Sequence, residues 1–224
     1  MADNRTTTEN LIVMYSRNDL PMRMNFKLFM HLSGLSRLSL SSRILDCGCA
    51  MGHLMSMLRG EGFTELTGLD AAQEMVEAAR RLTGFPVQYG DALDISAHFE
   101  PKSFDAVIIS DLFHHLASVE QWTRLISGCN QVLRAGGKLF IREPYPTTLI
   151  RTFQLMSRYQ VFYVGFLKPR LQSFVEEAEL VEYFFAHWPN QYKQLLTNAG
   201  FQIEKDFSMF IQRVTVCSNG GLRR

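Results

Sequence analysis

Residues 44–52 read Ile44-Leu45-Asp46-Cys47-Gly48-Cys49-Ala50-Met51-Gly52, a short apolar stretch that ends in an acid and then turns through glycines. The residues that follow, His53 to Arg59, place leucine and methionine side chains at helical spacing. Glycines in such a turn adopt dihedral angles that other residues avoid, and they let backbone amides approach a ligand. The stretch therefore predicts a strand, a ligand-binding turn and a helix.

The same order of strand and helix repeats towards the carboxyl end. We predict further strands at Thr64–Asp70, Pro86–Tyr89, Phe104–Ser110 and Lys138–Arg142, and helices at Ala72–Leu82 and Val119–Leu133, the latter stopped by Gly136-Gly137. The uninterrupted apolar run from Ala106 to Ile109 suits a strand that is buried on both faces of a parallel sheet. This alternation predicts an α/β fold with a doubly wound, mostly parallel sheet.

The rhythm changes after Pro146. Residues 147–187 contain no obvious strand and are typical of amphipathic helices, and a helix is predicted from Asn190 to Ala199. Two last apolar runs, Phe201–Phe207 and Arg213–Cys217, predict a closing β-hairpin with an antiparallel strand. Together with the five earlier strands they make a seven-stranded sheet.

Composition limits the class of protein. The chain has 224 residues, enough for one ordinary domain, and 23 basic against 22 acidic side chains argue against a DNA-binding protein. Four cysteines do not form a disulfide scaffold, and the amino terminus has no apolar signal core. The longest uncharged apolar run, Tyr159–Leu167, is too short to span a membrane. These features predict a cytoplasmic protein.

Charge is distributed unevenly along the chain. Residues 61–120 hold eleven acids and three bases, whereas residues 134–170 hold seven bases and one acid. One interpretation is that the basic stretch pairs with the acidic cluster at 176–182 or is solvated. The other is that the basic, aromatic segment 147–170 contacts an anionic carrier or a membrane surface, which would make the protein peripheral there.

The glycine turn discriminates between two classes of nucleotide ligand. A dinucleotide fingerprint places its last glycine five residues after its first, whereas Gly48 and Gly52 are four apart. A nicotinamide dehydrogenase is therefore disfavoured. Asp70 ends the next strand and can accept hydrogen bonds from both ribose hydroxyls of either ligand class.

Five motifs in order resemble the class I S-adenosylmethionine-dependent methyltransferases, of the small-molecule type that includes quinone-biosynthesis enzymes. They are the turn at 46–52 with Ala50 at the middle glycine, Gly90-Asp91-Ala92, the stretch Phe104-Asp105 to Ser110-Asp111-Leu112-Phe113-His114-His115-Leu116, Leu133–Leu139 with Ala135 in place of proline, and Ala199-Gly200-Phe201. The resemblance covers roughly residues 40–143 and 190–217 and is more specific for fold and cofactor than for substrate.

The resemblance implies S-adenosylmethionine as cofactor, S-adenosylhomocysteine as product and a set of cofactor-binding residues. Asp70 would bind the ribose, Asp91 the adenine amino group, and Tyr15 would fold over the cofactor. The full candidate set is Tyr15, Asp46, Gly48, Cys49, Gly52, Asp70, Ala71, Met75, Asp91, Ala92, Ser110 and Asp111. Asp46 alternatively braces the glycine turn, and Cys47 and Cys49 lack a second pair at zinc spacing, so no metal is predicted.

The resemblance also implies an organisation within a single domain. Residues 1–40 form an N-terminal helical lid, 41–146 the cofactor-binding core, 147–187 a helical cap insertion, and 188–224 the final helix and hairpin.

Methyl transfer from a sulfonium requires mainly that the acceptor be positioned, with a base only where the acceptor must lose a proton. Candidate catalytic residues are His115, Glu143 and Tyr145, which follow the fourth and fifth strands. His114 and His187-Trp188 are further candidates, and each of these residues alternatively serves packing or capping.

The predicted function is transfer of a methyl group to an O, N or C atom of a small aromatic or lipophilic acceptor. The apolar residues between 149 and 167 either pack on the core or form a lid over such an acceptor. Two alternatives stay open: a non-catalytic methyltransferase-like partner subunit, and an RNA methyltransferase that uses the basic stretch. No Asn/Asp-Pro-Pro-Tyr/Phe motif follows the fourth strand, which weighs against methylation of base amino groups.

Overall fold

A computed structural model describes residues 20–147 and 178–220 of the chain. Its helices are α1 (Leu20–Ser33), α2 (His53–Gly60), α3 (Gln73–Thr83), α4 (Ile95–His98), α5 (Val119–Val132) and α6 (Ala178–Asn198). Its strands are β1 (Ile44–Cys47), β2 (Leu66–Asp70), β3 (Val87–Tyr89), β4 (Phe104–Ser110), β5 (Leu133–Pro144), β6 (Phe201–Met209) and β7 (Gln212–Asn219). Short 3-10 turns occupy Leu35–Arg37, Ala92–Asp94 and Phe113–His115.

The strands form one seven-stranded sheet in the order β3-β2-β1-β4-β5-β7-β6. Neighbours from β3 to β5 are parallel, and β7 lies antiparallel to both β5 and β6. This confirms the predicted doubly wound, mostly parallel sheet with an antiparallel strand near the carboxyl terminus. Because the central strands are parallel, their carboxyl ends and the turns after them meet at one edge of the sheet, where doubly wound folds bind ligands.

Two apolar layers sandwich the sheet. On one face α5 and α6 supply Trp122, Phe184 and Trp188, which pack together as edge-to-face and stacked rings. On the other face the first three helices cover the sheet, and Phe29 and Met55 are fully buried there. Both faces of the central strands β1 and β4 are therefore covered, which explains the continuous apolar run from Ala106 to Ile109.

The helix α6 is longer than the sequence predicts. It begins at Ala178 rather than Asn190 and continues through Pro189, a residue that normally breaks a helix interior. Phe184, Trp188 and Tyr192 recur every four residues along it, are buried, and stack on one another at 5.4 Å between ring centroids. This packing outweighs the cost of the proline, and the boundary predicted between residues 187 and 188 lies inside one helix.

The strand β5 also starts earlier than predicted. The helix α5 ends at Val132, and the chain enters the sheet at Leu133 and passes through Gly136 and Gly137. Gly136 has a φ of 72°, and a Cβ at Gly137 would lie 2.9 Å from the carbonyl oxygen of Arg134. The two glycines therefore form an irregular start to a strand rather than the end of a helix.

The described part of the predicted N-terminal lid is a core helix. Phe26, Phe29 and Met30 of α1 are buried against the sheet together with residues of β7. Tyr15 and the apolar segment 149–167 lie outside the described residues, so their predicted lid roles stay predictions. Within the described ranges, no helix has the length and apolar character needed to cross a membrane.

Candidate active site

The glycine turn after β1 is held tightly against its neighbours. The backbone N–H groups of Gly48 and Cys49 both donate to the carbonyl of Leu69, at 2.8 and 3.0 Å. Gly48 and Gly52 each have a φ of 78°. A Cβ at Gly48 would lie 3.1 Å from the Leu112 side chain. The turn is thus pressed against the chain that follows β4, at the edge where parallel strands end.

Ala50 occupies the middle of this turn in a conformation that favours glycine. Its φ is 45°, in the left-handed region, where a Cβ costs roughly 1–2 kcal/mol. Its N–H donates to Oδ2 of Asp70 at 2.8 Å, which holds the turn in this shape. The replacement of glycine noted in the sequence is therefore accommodated through strain rather than through a different turn.

Asp70 joins the two turns that follow β1 and β2. Its Oδ2 accepts from the Ala50 N–H and its Oδ1 accepts from the Ala72 N–H at 2.9 Å. A carboxylate oxygen has two acceptor positions, so each oxygen retains capacity for a ribose hydroxyl. The geometry is compatible with the predicted ribose contact and adds a bracing role.

Asp46 is buried beside these turns with only 3% of its surface exposed. Among the described residues, its Oδ2 has no hydrogen-bond partner. Burial and, to a lesser extent, the negative charge of Asp70 raise the pKa of Asp46 from 3.8 to about 7, while Arg142 acts to lower it. A positively charged group bound next to Asp46 would compensate its buried charge.

The remaining predicted cofactor residues are spread around the same edge. Asp91 is exposed after β3, and its Oδ1 accepts from the Leu93 N–H at 2.9 Å as a cap of the turn at 92–94. Ala71 is exposed after β2. Ala92, Met75 and Cys49 are buried, and burial raises the pKa of the Cys49 thiol. In the two described ranges, no cluster of three or more His, Cys, Asp and Glu side chains is placed to hold a metal ion.

Asp111 is tied into a polar network immediately after β4. Its φ is 57°; Oδ2 accepts from Ser110 Oγ at 3.0 Å and from Arg142 Nη2 at 3.1 Å, and Oδ1 accepts from Gln212 Nε2 at 3.0 Å. Burial acts to raise the pKa of Asp111, but the charges of Arg142 and His114 outweigh it and lower that pKa. Ser110 and Asp111, predicted as cofactor-binding residues, thus bond to other side chains of the chain itself.

Arg142 is a site residue that the sequence did not single out. Its Nε donates to Ser110 Oγ at 3.0 Å, its Nη1 donates to Asn25 Oδ1 at 3.3 Å, and its guanidinium lies 5.5 Å from the centre of the Phe29 ring. The available signal was an arginine directly after the apolar run Leu139–Ile141, in a strand with both faces covered. Such an arginine requires buried acceptors, and here they come from β4 and α1.

Glu143 is fully buried, with 0% of its surface exposed. Its Oε1 accepts from the backbone N–H groups of Leu112 and Phe113 at 2.7 and 2.8 Å. Its Oε2 lies 2.9 Å from Nδ1 of His114. The carboxylate therefore fixes the turn after β4, and it reaches the predicted acceptor side through His114.

The other catalytic candidates occupy different positions. His115 is exposed, and its ring lies 4.1 Å from the ring of His114. Tyr145 is half-buried, and the guanidinium of Arg213 lies 5.4 Å from the centre of its ring. His187 stacks on Tyr183 at 4.2 Å, whereas Trp188 is buried in the core, as its packing alternative predicts. The structure thus brings His114, His115 and Glu143 together at the carboxyl end of β4.

Comparisons with known proteins identify a methyltransferase domain in the sequence. A family model described as a methyltransferase domain matches residues 45–141. The ubiquinone biosynthesis O-methyltransferase of Xanthomonas euvesicatoria pv. vesicatoria (strain 85-10) is 32% identical over 180 residues, which cover 75% of this chain and 66% of that protein. The chain thus spans just under two thirds of the length of this curated relative.

Solved structures show the same fold at low sequence identity. The PH0226 protein of Pyrococcus horikoshii OT3 superposes with a TM-score of 0.64 at 19% identity, covering 90% of this chain and 92% of that one. A SAM-dependent methyltransferase of Archaeoglobus fulgidus superposes with a TM-score of 0.54 at 18% identity, covering 80% and 86%. At these identities the likeness concerns the fold alone.

Proposed function

We propose that this chain, which resembles the class I S-adenosylmethionine-dependent methyltransferases, transfers a methyl group from S-adenosylmethionine to a small aromatic or lipophilic acceptor by in-line displacement. Among the O, N and C acceptor atoms that the sequence left open, we favour oxygen. The relative in Xanthomonas euvesicatoria is named as an O-methyltransferase of ubiquinone biosynthesis, which supports an acceptor of the phenol or catechol class.

The observation that carries the proposal is the pair of acids around the glycine turn. Asp46 is buried with an oxygen that has no partner among the described residues, and Asp70 holds the turn while it keeps acceptor capacity. S-adenosylmethionine carries a sulfonium and an ammonium, which are cationic, and a ribose with two hydroxyls. The residues present therefore fit this group: Asp46 would compensate cationic charge, and Asp70 would accept from the ribose.

The cofactor would supply an activated methyl group, and the protein would orient the reactants and exclude water. A Cβ at Gly48 would lie 3.1 Å from the Leu112 side chain, so glycine at this position allows the turn to pack closely against the chain that follows β4. Charged groups on the acceptor side are bonded within the protein, which orients them before an acceptor arrives.

Calorimetric titration with S-adenosylhomocysteine tests the cofactor part of the proposal. We expect saturable 1:1 binding by the wild-type protein and a loss of at least ~100-fold in affinity for Asp70→Ala, since the variant loses both the ribose acceptor and the brace on Ala50. Asp105→Ala is the matched control, because Asp105 accepts from Arg43 at the opposite end of β4. Equal affinities for the two variants would contradict the role of Asp70.

Transfer of labelled methyl from S-adenosylmethionine to catechol and simple phenols tests the reaction part. Methylated product from the wild-type protein supports the proposal. Binding of S-adenosylhomocysteine without transfer to any acceptor, together with a stable protein partner, would instead favour the non-catalytic subunit. Salt-sensitive retention of RNA on filters would favour an RNA methyltransferase.

Two predictions from the sequence stay predictions. The first is the contact of segment 147–170, of which residues 148–170 lie outside the described ranges, with an anionic carrier or membrane surface. The second is the cytoplasmic and peripheral location. Vesicle sedimentation with anionic and neutral lipids measures the first of these directly.

A further inference from the structure

We propose that S-adenosyl ligands bind this protein with release of a proton from Asp46, so that affinity for the cofactor rises as pH approaches neutrality. The inference rests on the proposed function and deepens it, because it adds control by pH to the same site. The ligand would select the ionised form of one buried acid.

Asp46 lacks the hydrogen bonds that another buried acid receives. Asp46 and Glu143 are the buried acidic side chains among the described residues, with 3% and 0% of their surfaces exposed. Glu143 accepts from two backbone N–H groups and contacts a histidine ring, whereas Oδ2 of Asp46 has no hydrogen-bond partner in the described part of the chain. A buried carboxylate oxygen without a donor is costly, and uptake of a proton removes that cost. We therefore expect Asp46 to hold a proton when no ligand is bound.

The charged neighbours of Asp46 do not supply the missing donor. Burial and, to a lesser extent, the negative charge of Asp70 on β2 raise the pKa of Asp46 from 3.8 to about 7. Arg142 on β5 acts to lower that pKa, but three of its nitrogens donate to other side chains, including the carboxylate of Asp111. The guanidinium thus contributes its positive charge at Asp46 but no hydrogen bond to Oδ2.

The glycine turn and the helices on this face of the sheet add no buried charge within the described ranges. Burial raises the pKa of the Cys47 and Cys49 thiols, so both stay protonated at neutral pH. His53, the first residue of α2, is half-buried, and burial lowers its pKa, so the ring is neutral at pH 7. The buried side chains that the structure describes in α1, α2 and α3 are uncharged. A proton lost from this position near pH 7 therefore comes from Asp46.

The position of Asp46 places its unpaired oxygen beside the turn expected to bind the cofactor. Asp46 lies in the central strand β1, one residue before the end of that strand, and Gly48 opens the turn. The N–H of Ala50 in this turn donates to Asp70, whose charge already acts on Asp46. A cation bound at the turn would likewise act on Asp46, in the opposite direction.

An ammonium group matches the missing donor. An ammonium has three N–H donors, whereas a sulfonium has none, and both S-adenosylmethionine and S-adenosylhomocysteine carry an ammonium. An opposite charge and a hydrogen bond to the charged form both favour the ionised carboxylate. On binding, the O–H bond of Asp46 breaks, its electron pair stays on the carboxylate, and the proton passes to water.

The proton is counted by calorimetric titration with S-adenosylhomocysteine in pairs of buffers whose ionisation enthalpies differ. Because Asp46 of the free protein is half-protonated at about pH 7, we expect release of about 0.9 proton per ligand at pH 6 and about 0.2 at pH 7.5. The same linkage raises the affinity by about 8-fold between these two pH values.

Asp46→Asn separates this proton from any that other groups exchange. Its amide is neutral at both pH values, so we expect a proton count near zero and an affinity that changes by less than about 2-fold between pH 6 and pH 7.5. Asp105→Asn is the matched control and should behave as wild type, since Asp105 accepts from the backbone N–H of Arg43 at the opposite end of β4.

A shortened ligand tests the ammonium. 5′-Methylthioadenosine keeps the adenine and the ribose but lacks the amino-acid part, so we expect it to bind without proton release from Asp46. Proton release equal to that of S-adenosylhomocysteine would overturn the assignment of the ammonium as the group that displaces the proton.

Carboxyl ¹³C NMR of protein labelled at aspartate reads the protonation of Asp46 directly, and its signal is the one that disappears in Asp46→Asn. We expect a titration midpoint near pH 7 without ligand, and the chemical shift of an ionised carboxylate at pH 6 with S-adenosylhomocysteine. A midpoint in the ordinary range of aspartate, about 4, would overturn the inference whether or not a ligand binds.

The outcomes distinguish the two proposals. Saturable binding of S-adenosylhomocysteine with the same proton count in wild type and Asp46→Asn overturns the proton release and leaves the proposed function intact. A protein that binds no S-adenosylhomocysteine at either pH overturns both.

Discussion

Buried acids at the two sides of the sheet edge differ in how many of their hydrogen bonds come from the protein. One side is formed by the ends of β1 and β2, and the other by the ends of β4 and β5. On the β1–β2 side, Asp46 is buried with an oxygen that no described residue contacts, and Ala50 is held in a strained conformation. On the β4–β5 side, the carboxylates of Glu143 and Asp111 each have three hydrogen bonds with groups of the protein. Under the proposed function, the β1–β2 side is the donor half, where a bound methyl donor would compensate Asp46, and the β4–β5 side is the acceptor half, whose carboxylates are already bonded within the protein.

The largest expected effect is a loss of stability when a carboxylate on the β4–β5 side is removed. Glu143→Ala leaves the N–H groups of Leu112 and Phe113 and the His114 ring without their acceptor, so we expect about 3–4 kcal/mol less free energy of unfolding. Glu143→Gln retains the backbone acceptor and should lose about 1 kcal/mol. Urea unfolding of both variants is the measurement. A loss below about 1 kcal/mol for Glu143→Ala would contradict this view of the acceptor half.

The second prediction concerns the residue that serves both halves. Arg142→Met removes the cation that neutralises Asp111, and we expect a loss of about 2–3 kcal/mol in the same unfolding assay. It also removes the charge that lowers the pKa of Asp46, so that pKa should move above its value of about 7. Carboxyl ¹³C NMR titration checks this shift. An unchanged Asp46 pKa would show that the two halves are electrostatically independent.

The third prediction uses the raised pKa of Asp46. The folded state keeps a proton on Asp46 up to about pH 7, whereas the unfolded state loses it near 3.8, so the cost of burying this residue grows as pH rises between those values. Asp46→Asn has no such cost. Without ligand, its stability relative to wild type should therefore increase by about 2 kcal/mol between pH 5 and pH 8. Urea unfolding at both pH values measures it, and a constant difference would refute the buried, unpartnered state of Asp46.

The smallest effect comes from the strained alanine. Ala50→Gly relieves the left-handed conformation at φ 45° but adds freedom to the unfolded chain, so we expect a gain of about 0.5–1 kcal/mol in stability. Ala117→Gly is the matched control, since Ala117 lies in an exposed loop and is not among the residues with positive φ. The control should lose stability. If both variants lose stability equally, Ala50 carries no strain.

The parts of the molecule set by local chemistry were predictable from the sequence. The apolar runs and turn residues predicted the positions of most strands, and the acid-then-glycine pattern predicted Asp46 near the end of β1 and Gly48 and Gly52 in the turn after it. The pairing of Glu143 with His114 was not predictable, because it spans 29 residues and depends on the β4–β5 register, in which Ser110 lies opposite Arg142. Parallel register is set by the whole sheet rather than by either strand.

Tertiary packing also sets the bounds of two elements, α6 and β5, where the local sequence predicts different bounds. Pro189 suggests a break, yet the stacked rings of Phe184, Trp188 and Tyr192 extend one helix across it. Gly136-Gly137 suggests the end of a helix, yet the chain is already in β5 there. In both places the buried contacts contribute more free energy than the propensity of one or two residues.

The position of α1 affects how this protein could be recombined with its relatives. Residues 45–141, the segment that the methyltransferase domain model matches, contribute Ile108 and Phe140 to the apolar layer that α1 covers. Phe29 and Met30 on one side and Val214 on the other complete that layer from outside the segment. A chimera with crossovers at residues 45 and 141 would combine part of this apolar layer from one parent with the remainder from the other. Crossovers before Leu20 and after Asn219 keep these described contacts within one parent.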